Sequence, residues 1–288
     1  MERIFGDDRL YKTKVLARDR LAGVLREVAS EEYGGVIRMH YEEEMVGVEW
    51  EGGGKTGEPE TPVITVERRS GEREEVRCEL LVGADGTART LAAAMESYTA
   101  GIGGGVLDNL PFGISDLLPK SPRVRVVRYE DDNRRVYKTV PMKLPSSSWR
   151  PDVNYSARTK DGRVVLDALP ATTAGDYCAV LLLQSTDEYA RPNSDPIGLR
   201  SLLDETLPQF SPLVSDRSLA SVAAKAPSNI PRFRYVGPRL HTPGGSTVLL
   251  GDAIHTVKPY FGLGVNFALE DVTALRDALE HHPNDGER

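Results

Sequence analysis

Twice in 288 residues an apolar run stops at an acid and turns at once toward a helix. The first is "ELLVGADGTARTL", Glu79 to Leu91, and the second is "TVLLGDAIHTVKPYFGLGVNFALEDV", Thr247 to Val272. A strand ending in Asp-Gly or Gly-Asp sets a carboxylate at its carboxyl end, where open α/β sheets bind their ligands. The helix that follows adds free N–H groups and partial positive charge. One such end is weak evidence, because Asp-Gly turns are common. Two of them flanking one long stretch of different texture narrow the choice to an α/β (α+β) chain with an inserted domain.

That inserted stretch runs from about Tyr98 to Tyr235. Its strand candidates "RVRVVRY", "RRVYKTVPM", "VNYSAR", "GRVVLDALP" and "DYCAVLLLQ" alternate with turns rich in Pro and Ser, and one helix, "PIGLRSLLDETLPQF", interrupts them. The pattern predicts a mostly antiparallel sheet domain over 100–235, between two α/β pieces at 1–99 and 236–288. Before it, "ARDRLAGVLREVASEE" has helical spacing of Leu21, Val24, Leu25 and Val28. "GGVIRMHY", "EMVGVEWEGG", "TPVITVERRSG" and the single run "EEVRCELLVGADG" read as strands. After it, Val265, Ala268, Leu269, Val272 and Leu275 predict an amphipathic helix.

Composition removes several classes. A net charge of −7 leaves no basic surface for nucleic acid or an anionic membrane. No stretch reaches the roughly 18 apolar residues of a membrane span, and the first residues carry no signal-peptide core. Cys78 and Cys178, distant in sequence, read as buried thiols of a soluble protein in a reducing compartment. No Cys, His and carboxylate set has metal-ligand spacing. "EGGGKTGE" fails as a phosphate loop because Glu49 stands where glycine is required, and "GIGGG" at Gly101 to Gly105 follows a helix, so both read as flexible turns. Phe233 and Tyr235 are candidates either for a cavity wall or for the core.

"LLVGADGTART" resembles the Asp-Gly motif of class A FAD-dependent aromatic hydroxylases of the para-hydroxybenzoate hydroxylase type, and "VLLGDAIHTVKPYFGLGVNFALEDV" resembles their Gly-Asp motif. Within that class the pattern is most similar to the kynurenine 3-monooxygenase family, and "ARDRL" resembles that family's Arg-x-x-Leu helix start. "VYKTVPM" and "GRVVLDALP" are more weakly similar to its substrate domain. The resemblance implies FAD as cofactor, held by Arg18, Asp85, Gly86, Gly251, Asp252, Pro259, Gly262, Gly264, Val265 and Asn266. Asp252 would accept from ribityl hydroxyls, and the helix start near Val265 would face the anionic edge of reduced flavin. It also implies NAD(P)H as co-substrate, O2, and hydroxylation of a small aromatic substrate through a C4a-hydroperoxide. No catalytic side chain is singled out; His255 reads as orienting its loop. Two departures stand out. Leu263 occupies the place where the family has Gln. The family's opening G-x-G-x-x-G strand-turn-helix is expected ahead of Arg18, so the chain reads as lacking its first βαβ unit. The residues alone also permit a flavin reductase or halogenase of the same fold, a non-catalytic remnant, or an Asp252 that only caps a turn.

Overall fold

The computed structural model describes residues 16–53, 59–102, 123–130, 134–145, 149–257 and 262–280. In chain order, α1 (Arg18–Glu31) precedes β1 (Glu43–Gly52), β2 (Glu60–Arg68), β3 (Arg73–Arg77), β4 (Leu81–Gly83) and α2 (Thr90–Ile102). Then come β5 (Val124–Arg128), β6 (Arg135–Lys143), β7 (Tyr155–Arg158), β8 (Val165–Pro170), β9 (Asp176–Gln184), α3 (Pro196–Thr206) and α4 (Asp216–Ala224). The last elements are β10 (Ser228–Asn229), β11 (Arg234–Pro238), β12 (Thr247–Leu249), β13 (His255–Thr256) and α5 (Gly264–Glu280). Contacts divide them into two units. None of the described helices is long and apolar enough to cross a membrane.

The first unit comprises residues 1–39 and 134–230. Its sheet is fully antiparallel in the order β10-β6-β9-β8-β7. Period-two alternation buries Val136, Val140 and Met142 of β6 with Tyr177, Ala179, Leu181 and Leu183 of β9 on one face. Leu199, Leu202 and Leu203 of α3 and Leu219 and Val222 of α4 complete that core. α3 starts where the Asp195 side chain accepts from Ile197 and Gly198 N–H groups and Pro196 opens the first turn; Ser215 caps α4 by accepting from Ser218 N–H. The expected antiparallel sheet is therefore present.

The second unit comprises residues 40–133 and 231–288. It holds the antiparallel meander β1-β2-β3, the sheet β13-β11-β5, and the parallel pair β12-β4. Leu91, Ala92 and Met95 of α2 pack with Val124, Val126, Val236, Leu249 and Ile254 in its core. β5, inside the stretch assigned from sequence to the substrate domain, pairs with β11 in this unit.

Four sequence expectations need correction. "GGVIRMHY" forms no strand: Tyr33 C=O accepts from both Val36 and Ile37 N–H, closing a turn, and Val36 is 82% exposed. "EEVRCELLVGADG" is two strands, not one, because β3 pairs with β2 while β4 pairs with β12. A further helix, α4, lies in the inserted stretch. Cys178 is exposed rather than buried, since its position on β9 alternates onto the face opposite the core. Phe233 and Tyr235 are also too exposed for a core role.

Candidate functional site

The two acid-bearing strand ends meet in the second unit. β4 and β12 run parallel with Leu249 beside Gly83, so both chains leave the pair at the same end. Leu250 N–H donates to Gly83 C=O at 2.8 Å, extending the ladder to the brink of both turns. Close packing explains Gly83: a Cβ there would stand 2.5 Å from Leu91 Cδ2 and 2.8 Å from Leu249 Cδ2.

After β4, Asp85 turns back on its own helix. Its Oδ2 accepts from Leu91 N–H at 3.2 Å, taking one of the orphan donors at the start of α2. Its Oδ1 is buried and has no hydrogen-bond partner among the described residues. Beside it Gly86 has φ +64° with open space around it.

After β12, Gly251, Asp252 and Ala253 form one 3₁₀ turn. Gly251 has φ +61°, and a Cβ on it would come within 3.2 Å of Ala268 on α5, so only glycine lets the turn lie against that helix. Asp271 of α5 holds it there. Its Oδ2 accepts from Gly251 N–H at 2.8 Å and meets His255 Nε2 at 2.9 Å. His255 packs edge-on against Phe267, which supports the loop-orienting reading of this histidine. The Asp252 carboxylate faces the start of α5, with Oδ1 3.9 Å from where a Gly264 Cβ would be. Gly262 enters that helix with φ +64°. Phe267 N–H donates to Leu263 C=O at 3.1 Å, and Val265 and Asn266 lie in the first turn of the helix.

Arg89 ties the two turns together. It is 4% exposed, with Nε donating to Ala253 C=O at 3.2 Å and a terminal NH2 donating to Thr256 Oγ1. Burial pushes its guanidinium below the usual arginine value; Arg234 and Arg128 add to this, while Asp252 and Asp85 oppose it.

Asp85, Gly86, Gly251, Asp252, Gly262, Gly264, Val265 and Asn266 all lie on these two turns and the α5 start. Arg18 opens α1 in the first unit, with its side chain exposed. Pro259 lies outside the described residues. Arg89 and Asp271 were not anticipated, although "LEDV" contains the second. Leu263 is 40% exposed. Among the described residues no cluster of His, Cys, Asp or Glu suits a metal ion.

Residues 241–287 match the FAD binding domain family. The chain is 29% identical over 146 residues to kynurenine 3-monooxygenase 2 of Aspergillus niger, covering 50% of this chain and 29% of that protein. It is 24% identical over 233 residues to kynurenine 3-monooxygenase of Xanthomonas euvesicatoria pv. vesicatoria, covering 75% and 42%. The matched stretches thus span less than half the length of these relatives. HpxO of Klebsiella pneumoniae, complexed with FAD and uric acid, shares the fold with TM-score 0.51 and 16% identity, over 91% of this chain and 55% of that one. In sequence the chain is similar to FAD-dependent monooxygenases of the kynurenine 3-monooxygenase kind, and its residues 241–287 carry the match to the FAD binding domain family.

Proposed function

We propose that the second unit binds FAD and that the chain serves an NAD(P)H-driven monooxygenase that hydroxylates a small aromatic substrate with O2. One observation carries the reading: the parallel β4–β12 pair brings two acid-bearing turns to the same end. The orphaned Asp85 Oδ1, the open space at Gly86 and the glycine-lined approach of Asp252 to α5 suit a polyhydroxyl ligand lying against main chain. When bound, reduced FAD supplies the activation of O2, which no protein side chain can provide.

The chain's own groups bind and orient. Asp252 accepts from ribityl hydroxyls, and Asp85 Oδ1 accepts from a second hydroxyl of the same ligand. The first-turn amides of α5, at Val265 and Asn266, favour the anionic edge of the ring system. Gly86, Gly251, Gly262 and Gly264 let main chain approach it. Substrate recognition is assigned to the antiparallel sheet within 100–235.

The test is FAD titration by flavin fluorescence on wild type and Asp252→Ala, with thermal melts of unliganded protein alongside. A charge-assisted hydrogen bond contributes about 1.5–3 kcal/mol, so affinity should fall about 10- to 100-fold. The unliganded melt should hardly move, because β12 is held by Leu249 and its ladder. Unchanged FAD affinity beside a destabilised apo protein would mean that Asp252 only caps its turn.

A further inference from the structure

We propose that Arg89 is a positioning residue for the cofactor-facing turn: its buried guanidinium locks the Gly251–Ala253 turn and Thr256 to the loop that follows Asp85. The proposal rests on the flavin reading of that turn, which itself does not use Arg89.

Position 89 is an improbable place for an arginine. It directly precedes α2, and its carbonyl accepts from Ala93 N–H at 3.0 Å, so it stands where Ser, Thr or Asp would ordinarily cap the helix. It also has φ +56°, which disfavours a side chain with a Cβ. The capping task has passed to Asp85, whose Oδ2 reaches Leu91 N–H. That leaves the residue at 89 free to point across the β4–β12 pair. The guanidinium reaches only neutral acceptors, Ala253 C=O and Thr256 Oγ1, and no paired carboxylate among the described residues. A buried charge so held is costly unless it serves the site. Strained backbone and unmatched burial together mark a position that the surroundings over-determine.

What the arrangement does can be followed bond by bond. Thr256 Oγ1 accepts from Arg89 and in turn donates to Asp252 C=O at 3.4 Å. Arg89 therefore holds the main chain just after the carboxylate assigned to the ribityl chain, at Ala253 C=O directly and at Asp252 C=O through Thr256. Its positive charge also lies near Asp85 and Asp252, two like-charged groups on neighbouring strand ends, and eases their repulsion. Asp271 holds the same turn from α5 through Gly251 N–H, so the turn is clamped from two elements.

Arg89→Gly and Arg89→Lys separate positioning from folding. Glycine adopts φ +56° without strain, so the Gly variant keeps the backbone while losing the guanidinium. Lysine retains charge but can satisfy only part of the fork. Hydrogen exchange on unliganded protein reads the amides of Gly251 and Ile254 against those of the β1–β2 ladder, and fluorescence titration reads FAD affinity. In the Gly variant the turn amides should exchange about tenfold faster with the ladder unchanged, and FAD affinity should fall about tenfold; Lys should restore part of both. Wild-type exchange and affinity in the Gly variant overturn the proposal. So does exchange that rises equally in the ladder, the mark of a general stabiliser. Wild-type protein that binds no FAD overturns the flavin reading and this proposal with it, and is recognisable because the failure precedes any substitution.

Discussion

Replacing Glu60 should cost the second unit more stability than any single surface change. Glu60 is 8% exposed on β2. Its Oε1 accepts from Thr242 Oγ1 and, at 2.9 Å, from Ser246 Oγ, while Oε2 accepts from Tyr98 OH of α2 at 3.1 Å. Around it Trp50 stacks on Tyr98 at 4.5 Å and donates to Thr247 Oγ1 at 2.8 Å. One carboxylate thus joins β2, α2 and the loop that leads into β12. A hydrogen bond to a charged group contributes about 1.5–3 kcal/mol, and the three share one acceptor and are not additive. Glu60→Leu strands three hydroxyls, and a loss of about 4 kcal/mol follows, near the upper end for point substitutions. At about 2–4 °C per kcal/mol for a unit of this size, the melting temperature drops by about 10 °C. Glu60→Gln keeps one carbonyl acceptor and should lose about half as much. Urea titration followed by Trp50 fluorescence, in a Trp149→Phe background that removes the other indole, measures both. The midpoint should move at constant m-value. Apolar replacement of a buried charge sometimes stabilises a protein. A neutral or stabilised Glu60→Leu would therefore show that desolvation of this carboxylate outweighs its three bonds, and the reasoning would fail.

Two further predictions concern pH. Tyr98 is pushed up to about 12 by burial first, then by the charge of Glu60 and the bond to it. Its folded value lies above the ordinary 10.0, so its contribution is complete below about pH 10 and is lost as pH rises to about 12. Urea midpoints at pH 9 and pH 11 should fall less in Tyr98→Phe than in wild type; equal falls would refute this. Lys138 is 3% exposed and donates from Nζ to Arg191 C=O at 2.8 Å and Ala223 C=O at 3.3 Å. Burial pushes it below the ordinary lysine value of 10.5, so the folded state sheds its proton first and wild type gains stability as pH rises toward that value. Compared with Lys138→Met by urea titration from pH 7 to about pH 10.5, wild type should gain as the pH approaches the ordinary lysine value; a pH-independent difference would show that the ammonium is not strained by burial.

How much was legible follows from which signals are local. The strand-acid-turn units at Asp85 and Asp252 could be read because an apolar run, an acid and a glycine sit within a few residues, and the helices after them carry ordinary periodicity. Their parallel pairing is not local, since Leu81–Gly83 and Thr247–Leu249 lie far apart in the chain. Arg89 could not be read, since its left-handed backbone and burial arise only once β4 and β12 are side by side. Asp271 reaches back 20 residues to Gly251, a distance at which no sequence period operates. The false strand at "GGVIRMHY" shows the converse, with β-branched residues outvoted by a turn that Tyr33 closes. β3 and β4 merged in the reading because the partner change near Cys78 has no Gly or Pro to mark it. α5 makes the limit clearest. Its apolar stripe correctly predicted a helix, yet Val265, Leu269 and Val272 are each about half exposed. Periodicity tells that a helix has a face to cover, whereas what covers it is decided by other parts of a structure, and α5 meets this unit's turn through the bonds from Asp271 to Gly251 and His255, the approach of Ala268 to Gly251 and the packing of Phe267 on His255.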